Sequence, residues 1–268
     1  MRKGLLALMF VLMTANLHAQ RAADVYRAVY QYEYTKDSIN SKTVQDIIHL
    51  ELYHNKSFCY SKYTWELDSL MATPNGEKLF EELLTASLRR DGPLAGTYPH
   101  KRSTFMISKD RENKKIVVND CLNDEFYEYT DPIEELVWSI SDTTRIINGK
   151  SAIKAETIYH GRTWEVWFCP ELPWSDGPWK FCGLPGLIVE AMDKDKLFVF
   201  RLISILPCDS PVKNWSYDVV HIERKAFLKK RYKSLKNSEV RYNIEIGTGV
   251  SSKKDTRYII GIEPDFEH

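Results

Sequence analysis

The chain has 268 residues with 37 basic and 37 acidic side chains, so its formal net charge at pH 7 is zero. A balanced charge gives no electrostatic basis for binding nucleic acid or an anionic membrane surface. With 43% hydrophobic residues, a chain of this length can bury a sizeable core without the support of disulfides or metals.

Residues 1–19 have the organisation of a secretory signal peptide. Arg2 and Lys3 give a positive start, an apolar run covers residues 4–17, and the small residue Ala19 ends the segment. The run is shorter than the roughly 20 apolar residues that span a bilayer. We therefore expect cleavage after Ala19, export to the periplasm or the outer membrane, and a mature chain without a transmembrane segment. An anchor that stays uncleaved is the alternative.

The mature chain begins with patterns typical of strands. Residues 23–35 alternate, with Tyr30, Tyr32 and Tyr34 on one side, which indicates a half-buried strand. Residues 46–53 and 57–63 predict the next pair of strands.

A helical insertion is predicted over about residues 65–90. Apolar side chains recur there at steps of three and four residues, the spacing of an amphipathic helix: Leu79, Phe80, Leu83, Leu84 and Leu88. The turn at residues 73–76 begins this helix, and residues 91–93 (Asp-Gly-Pro) end it.

A series of short strands follows the insertion. They are predicted at 103–108, 115–119, 125–129, 137–141, 151–159, 163–168, 187–191 and 196–206. A basic helix is expected over 224–236, and a polar tail after about residue 242. Serial strands with short turns predict a single, mainly β (α+β) domain over 20–268, an antiparallel meander that forms a curved sheet or a partly closed barrel. It carries the helical insertion and a helix in its C-terminal region.

Five cysteines lie in the mature chain, namely Cys59, Cys121, Cys169, Cys182 and Cys208. Export permits disulfides, but an odd number leaves at least one free thiol when all pairing is internal. Because Cys169 and Cys182 flank a loop rich in proline and glycine, we expect them to be the bridged pair. Small buried thiols with one bridge or none are the simpler alternative.

Residues 149–205 carry the most specific pattern in the chain. The hexapeptide at 183–188 spells GLPGLI, and it follows Lys154-Ala155, Gly161-Arg162, Trp167-Phe168, Pro173, Gly177-Pro178 and Phe181 in that order. This segment resembles the GLPGLI family, exported proteins of Bacteroidetes-type bacteria without an assigned activity. The family often has a cysteine just before the Lys-Ala pair. Here Ser151, Ala152 and Ile153 precede that pair, so the resemblance implies no disulfide from this position.

The motif has the composition of a folding element. Prolines fix φ and glycines permit positive φ or close backbone approach, so residues 174–185 predict a rigid loop that leads into a strand. The structural motif comprises Gly177, Pro178, Gly183, Leu184, Pro185, Gly186, Leu187 and Ile188. Its aliphatic side chains can bury apolar surface, but none of its groups can move a proton or hold a metal.

A ligand site beside this loop is the alternative interpretation. The aromatic side chains of Trp164, Trp167, Trp174, Trp179 and Phe181 could form the wall of a small apolar pocket. Arg162 could hold the anionic group of a ligand, or it could pin a loop carbonyl or carboxylate instead.

No sequence motif of a catalytic nucleophile, a zinc protease, a phosphate-binding loop or a dinucleotide site is present. The sequence therefore indicates no catalytic residue, no metal and no cofactor. We expect a non-catalytic binding or accessory protein for a small hydrophobic ligand, a lipid, a peptide or an outer-membrane partner. An enzyme with an unrecognised active site and a purely structural or interaction module remain the alternatives.

Overall fold

A computed structural model describes residues 25–37, 42–92, 98–208, 218–245 and 261–267. The predicted signal peptide lies outside these ranges, as does the middle of the predicted polar tail, so cleavage after Ala19 stays a prediction. Within the described ranges, no helix combines the length and the apolarity needed to cross a bilayer.

The described strands form one 12-stranded sheet built from two meanders. The first meander contains β1 (Tyr26–Asp37), β2 (Lys42–Leu52), β3 (Lys56–Ser61), β4 (Met106–Asp110), β5 (Lys115–Leu122) and β6 (Glu125–Pro132). The second contains β7 (Ser139–Ile147), β8 (Lys150–Tyr159), β9 (Arg162–Cys169), β10 (Leu187–Asp193) and β11 (Phe198–Pro207). The short strand β12 (Val219–His221) and the helices α1 (Lys62–Met71), α2 (Gly76–Asp91) and α3 (Arg224–Glu245) complete these elements.

The two meanders join where β1 pairs with β11, from Tyr26 opposite Pro207 to Tyr34 opposite Phe198. The sheet order is β12-β6-β5-β4-β3-β2-β1-β11-β10-β9-β8-β7. The predicted mainly β fold with a curved sheet is confirmed. The sheet stays open at β12 and β7, and it is mixed rather than wholly antiparallel because β12 runs parallel to β6.

The sheet curves around the loop that connects β9 to β10. Lys109 in β4 and Asp131 in β6 both contact this loop, although their strands lie six and eight places from β9 in the sheet order. Such contacts require the concave face to wrap around the loop, which therefore occupies the centre of the core.

The helices differ from the sequence-based expectation, because the insertion contains two helices, α1 and α2, and α3 continues past residue 236 to Glu245. The predicted strand over 57–63 ends at Ser61, because the Ser61 side chain accepts a hydrogen bond from the backbone N–H of Thr64 and so caps α1. The second helix of the insertion begins at Gly76 as expected. Several apolar side chains of α2, including Leu79 and Leu83, are exposed among the described residues.

Candidate functional site

The β9–β10 loop, residues 170–186, contains most of the GLPGLI motif and packs tightly. Gly186 has φ +151°, and a Cβ atom there would lie 2.6 Å from the carbonyl carbon of Cys169 and 2.9 Å from Cα of Pro170. A Cβ at Gly177 would lie 2.9 Å from the Ile188 side chain. Leu184, at the centre of the motif, is buried. These contacts support the interpretation of the motif as a folding element.

Three of the five aromatic candidates come together, but they do so inside the core. Trp164, Trp179 and Phe181 are at most 2% exposed, and their ring centroids lie 4.8 to 5.6 Å apart. The other two lie elsewhere: Trp174 packs on Tyr26, and Trp167 lies under the guanidinium of Arg145. The aromatic cluster thus packs the loop against the sheet.

A buried lysine from the sheet holds the middle of the loop. Lys109 is fully buried, and its Nζ lies 2.5 Å from Oδ1 of Asp176 and donates to the carbonyl oxygens of Gly177 (2.5 Å) and Phe181 (3.0 Å). Arg111 forms a second ion pair with Asp176. All these acceptors belong to the loop, so this cluster ties it to β4 and the β4–β5 turn.

A second buried lysine comes from the loop itself. Lys180 is also fully buried, and its Nζ lies 2.6 Å from Oδ2 of Asp131 and 2.5 Å from Oε1 of Glu263. The Lys180 ammonium lies 4.8 Å from the Tyr129 ring centroid, a cation–π contact. The preceding residue, Trp179, has φ +53°, a rare conformation for a bulky side chain.

Glu263 belongs to residues 261–267, which we call the acidic segment. Arg224, at the start of α3, donates to Glu263 Oε2 (2.8 Å) and to both carboxylate oxygens of Asp265 (2.8 and 2.6 Å). Phe266 is buried against Tyr232. The segment is thus held by side chains from the loop and from α3.

Arg162 holds the backbone of the same segment. Its guanidinium donates to the carbonyl oxygens of Gly261 (2.6 Å) and Ile262 (3.1 Å) and forms a 2.9 Å ion pair with Asp193. Burial, the largest cause, raises the pKa of the Asp193 carboxyl. The structure therefore places Arg162 on carbonyls of the acidic segment and on a carboxylate, which corresponds to the pinning role rather than to the binding of a ligand anion.

The turn before Arg162 leaves room for the acidic segment, because its residue 161 is a glycine. A Cβ atom at Gly161, which has φ +83°, would lie 3.0 Å from the backbone nitrogen of Asp265 and 3.1 Å from the Pro264 ring. A larger residue would therefore crowd the segment. We call the surface formed by Asp131, His160, Arg162, Lys180 and Arg224 the segment groove.

His160 lies between two carboxylates of this groove. Its Nε2 is 3.5 Å from Oδ2 of Asp131, and its Nδ1 is 3.6 Å from Oδ2 of Asp265. The imidazole is buried, and its Nε2 has no hydrogen-bond partner among the described residues. Burial pushes the pKa of Asp131 upward, but His160 and Lys180 outweigh burial and lower that pKa to about 2.

The groove also contains ligand types that bind metals. Potential ligand atoms of His160, Glu263 and Asp265 lie within 4.8 Å of one another. However, Lys180 and Arg224 already contact the oxygens of both carboxylates. These two cations neutralise the charge that would attract a metal ion, so the arrangement is better suited to ion pairing between protein groups.

The predicted disulfide between Cys169 and Cys182 is not present in the structure, in which both are free thiols. Cys169 is held at the end of β9 opposite Leu187, while Cys182 forms a backbone bridge with Asp176. Each cysteine is thus fixed by a different partner. Burial raises the pKa of the Cys182 thiol, like that of Cys59, to about 11.

Sequence reasoning identified Arg162, but not the other residues of the segment groove or the carboxylates of the acidic segment that they contact. The missed residues are Asp131, His160, Lys180, Arg224, Glu263 and Asp265. One local signal was available, since Lys180 lies between Trp179 and Phe181 in an apolar loop, where a lysine needs a buried counter-charge. The carboxylates carry no such signal, because they lie 49 or more residues from Lys180.

Comparisons with known proteins give a partial match to one family model and a likeness of fold, and neither carries a function. A family model described as a protein of unknown function (Porph_ging) matches residues 98–190, consistent with a Bacteroidetes-type protein. The GLPGLI name rests on the resemblance of the motif. No curated protein is significantly similar in sequence.

Two solved structures of PNGF-II, in different space groups, resemble the fold. One is 14% identical over 79% of this chain with a TM-score of 0.53, and the other is 15% identical over 79% with a TM-score of 0.49. The chain spans 34% and 33% of the length of those two chains. At this identity the first likeness shows the fold alone.

Proposed function

We propose that this chain is an exported, non-catalytic accessory protein that binds an extended acidic segment of a partner protein in the segment groove. One observation carries the proposal: the acidic segment of the chain itself lies in this groove. Its main-chain carbonyls are bound by Arg162, and its two carboxylates are bound by Lys180 and Arg224. Backbone contacts with paired charges are how proteins recognise extended peptides.

The charges of the groove match those of a ligand with two carboxylates. Apart from the segment, the described carboxylate that pairs with both Lys180 and Arg224 is Asp131, so these three groups together carry one net positive charge. The segment adds Glu263 and Asp265 on either side of Pro264. We therefore propose that the preferred ligand is a short extended sequence with acidic residues on both sides of a proline, followed by an aromatic residue.

Two further observations favour peptide binding over the other functions considered. The aromatic cluster of Trp164, Trp179 and Phe181 is sealed in the core, which gives less support to a small apolar ligand. The thiols of Cys59 and Cys182 have pKa values raised to about 11, so they are weak nucleophiles at neutral pH. The export part of the proposal rests on the signal-peptide pattern.

A trans-binding experiment tests the function. A fluorescent peptide of residues 261–267 is titrated with the full-length chain, and binding is followed by fluorescence anisotropy. In the wild-type chain the tethered segment competes at an effective concentration on the order of millimolar, so little binding is expected. The full-length variant Glu263→Gln/Asp265→Asn weakens the tethered segment and should bind the peptide at least about tenfold more tightly.

The control adds Lys180→Met to the same variant, with thermal melting to verify that the chain is folded. Loss of peptide binding is expected, because the peptide glutamate then lacks its ammonium partner. Equal binding by the folded Lys180→Met variant, or no binding by the parent variant, would contradict the proposed function.

A further inference from the structure

Helix α2 is amphipathic, yet it lies apart from the main hydrophobic core. Its 16 residues, Gly76–Asp91, all belong to the described part of the chain, and α1 is its chief neighbour in the fold. Its half-buried apolar side chains, those of Phe80 and Leu84, neither belong to that core nor pack against it. Most of the stability of a helix in a protein comes from covering its apolar face. The apolar side chains that α2 leaves exposed therefore indicate a further partner.

One side of α2 packs against the end of α1. A Cβ atom at Gly76 would lie 2.8 Å from Cα of Met71, so the two helices meet closely there. The buried or half-buried residues of α2 recur at steps of three and four, which places them on this same side: Gly76, Phe80, Leu84 and Ser87. The remaining sides of the helix are exposed.

A second apolar line runs along an exposed side of α2. Leu79 and Leu83 are 41% and 49% exposed, and Ala86 continues the line three residues later. Steps of four and three residues are the spacing of the contact line between two paired helices. Leu88 is also exposed, but it lies five residues after Leu83, about 140° further around the helix. We call the line of Leu79, Leu83 and Ala86 the α2 seam.

The charged side chains beside the seam match a second copy of the same helix. Glu82 and Arg89 are both exposed and lie seven residues apart, so they flank the seam on the same side. If two copies of α2 run antiparallel, Leu83 of one lies beside Ala86 of the other, and Glu82 of one lies beside Arg89 of the other. A two-fold axis generates each of these contacts twice. The seam and its flanking charges are thus self-complementary.

We propose that the α2 seam is a homodimer interface, in which the α2 helices of two copies pack antiparallel. An anionic membrane surface fits the seam less well, because α2 carries four acidic and three basic side chains and so has no excess of positive charge. A helix of 16 residues is about 24 Å long, so the contact is small beside the roughly 1,600 Å² of a standard interface. The dimer is therefore reversible, with a dissociation constant on the order of 100 µM. No residue of the segment groove takes part, so this inference goes beyond the proposed function and does not rest on it.

Sedimentation velocity of the predicted mature chain, residues 20–268, tests the interface at concentrations from about 5 to 500 µM. The weight-average mass should rise from that of a monomer toward that of a dimer. Leu83→Asp should weaken the dimer at least about tenfold, because it places a carboxylate in the seam. Leu88→Asp makes the same change off the seam of the same helix and should dimerise like the parent, with thermal melting to verify that both variants are folded. A monomer at every concentration, or equal weakening by the two variants, would overturn the inference.

Charge reversal tests the antiparallel arrangement. Glu82→Arg and Arg89→Glu each set like charges beside each other at both symmetric positions, and each should weaken the dimer about three- to tenfold, since exposed pairs contribute little individually. Glu81→Arg makes the same charge change on the far side of the helix and should leave the dimer unaltered. An equal mixture of Glu82→Arg and Arg89→Glu chains should recover the parental affinity, because each glutamate then faces an arginine of the other chain. A mixture that associates no better than the single variants would overturn the antiparallel seam.

Discussion

The two buried lysines that hold the β9–β10 loop make an instructive comparison. Lys109 and Lys180 are both fully buried, and each lies within 2.6 Å of a carboxylate. Lys109 belongs to the sheet and finds every partner in the loop. Lys180 belongs to the loop and divides its contacts between Asp131 of the sheet and Glu263 of the acidic segment.

Burial and pairing with a carboxylate therefore do not by themselves show that an ion pair serves only to stabilise the fold. The Lys109 cluster is complete once the loop is folded, because all of its acceptors arrive together. The Lys180 cluster is complete only when residues from a distant part of the chain are in place. Four predictions test this distinction, in order of decreasing expected effect.

The largest effect is expected for Lys109→Met. This change removes the fully buried cation beside Asp176 and leaves the carbonyl oxygens of Gly177 and Phe181 without their Lys109 donor, so the unfolding free energy should drop by about 3 to 5 kcal/mol. Lys180→Met should cost less, because the described hydrogen bonds and ion pairs of its ammonium go to carboxylates and to no carbonyl oxygen. A second cation remains in both variants, Arg111 at Asp176 and Arg224 at Asp131 and Glu263. Urea denaturation of both variants checks the order, with the exposed Lys78→Met as a near-neutral control. Equal losses at the two buried lysines would remove the distinction.

The next effect concerns the loop that both lysines hold. Gly186→Val should lower the unfolding free energy by about 2 to 4 kcal/mol, because it combines a positive φ with a clash against the Cys169 carbonyl. Gly149→Val is the matched control, since Gly149 also has positive φ but no atom within 4 Å of a new Cβ. It should cost only about 1 to 2 kcal/mol. Similar thermal melting of both variants would argue against the clash.

Acid should weaken the Lys180 cluster in a defined range of pH. The pKa of Asp131 is lowered from 3.8 to about 2 in the folded protein, so its stabilisation is full above pH 3.8 and is lost as the pH falls through 2. The loss should amount to roughly 2 kcal/mol. We expect the stability difference between the parent and Asp131→Asn to shrink across that window in pH-dependent urea denaturation. A constant difference would show that Asp131 does not titrate with the cluster.

The smallest effect on stability is expected for Glu263→Gln, about 1 to 2 kcal/mol. Lys180 retains its ion pair with Asp131 when the side chain at position 263 is neutral. The main consequence of Glu263→Gln should be local. Limited proteolysis should cleave residues 261–267 faster in this variant than in the parent, whereas Glu171→Gln, at an exposed ion pair, should leave the rate unchanged. Unaltered cleavage in Glu263→Gln would show that the segment is held without this contact.

Much of the fold could be predicted from local pattern, and the exceptions have physical causes. Alternation located the long strands, and the turn at residues 73–76 correctly placed the start of α2. The predicted end of β3 was wrong, because the side chain of Ser61 caps α1 and so ends the strand. Strand β12, with three residues, is too short to show a period, and its parallel pairing depends on β6.

The site was less accessible to sequence reasoning. Arg162 was identified because it follows the Gly161 turn within the motif, and its contacts with carbonyls and Asp193 fit one predicted role. The acidic segment was treated as part of a polar tail, although Glu263 and Phe266 are buried. The position of the acidic segment depends on ion pairs between residues that lie far apart in the chain. The local periodicity of a sequence does not indicate such pairs.

The β1–β11 pairing has a consequence for the order in which the chain can fold. β1 lies early in the sequence, yet its neighbour on one side, β11, spans Phe198–Pro207. Until those residues are available, one row of β1 backbone groups lacks its native partner and presents an open edge. Closing a loop of this length is entropically slow, and folds dominated by such distant pairs complete in roughly milliseconds to seconds. β1 therefore gains its second neighbouring strand late in folding, and the two meanders become one sheet only at that step.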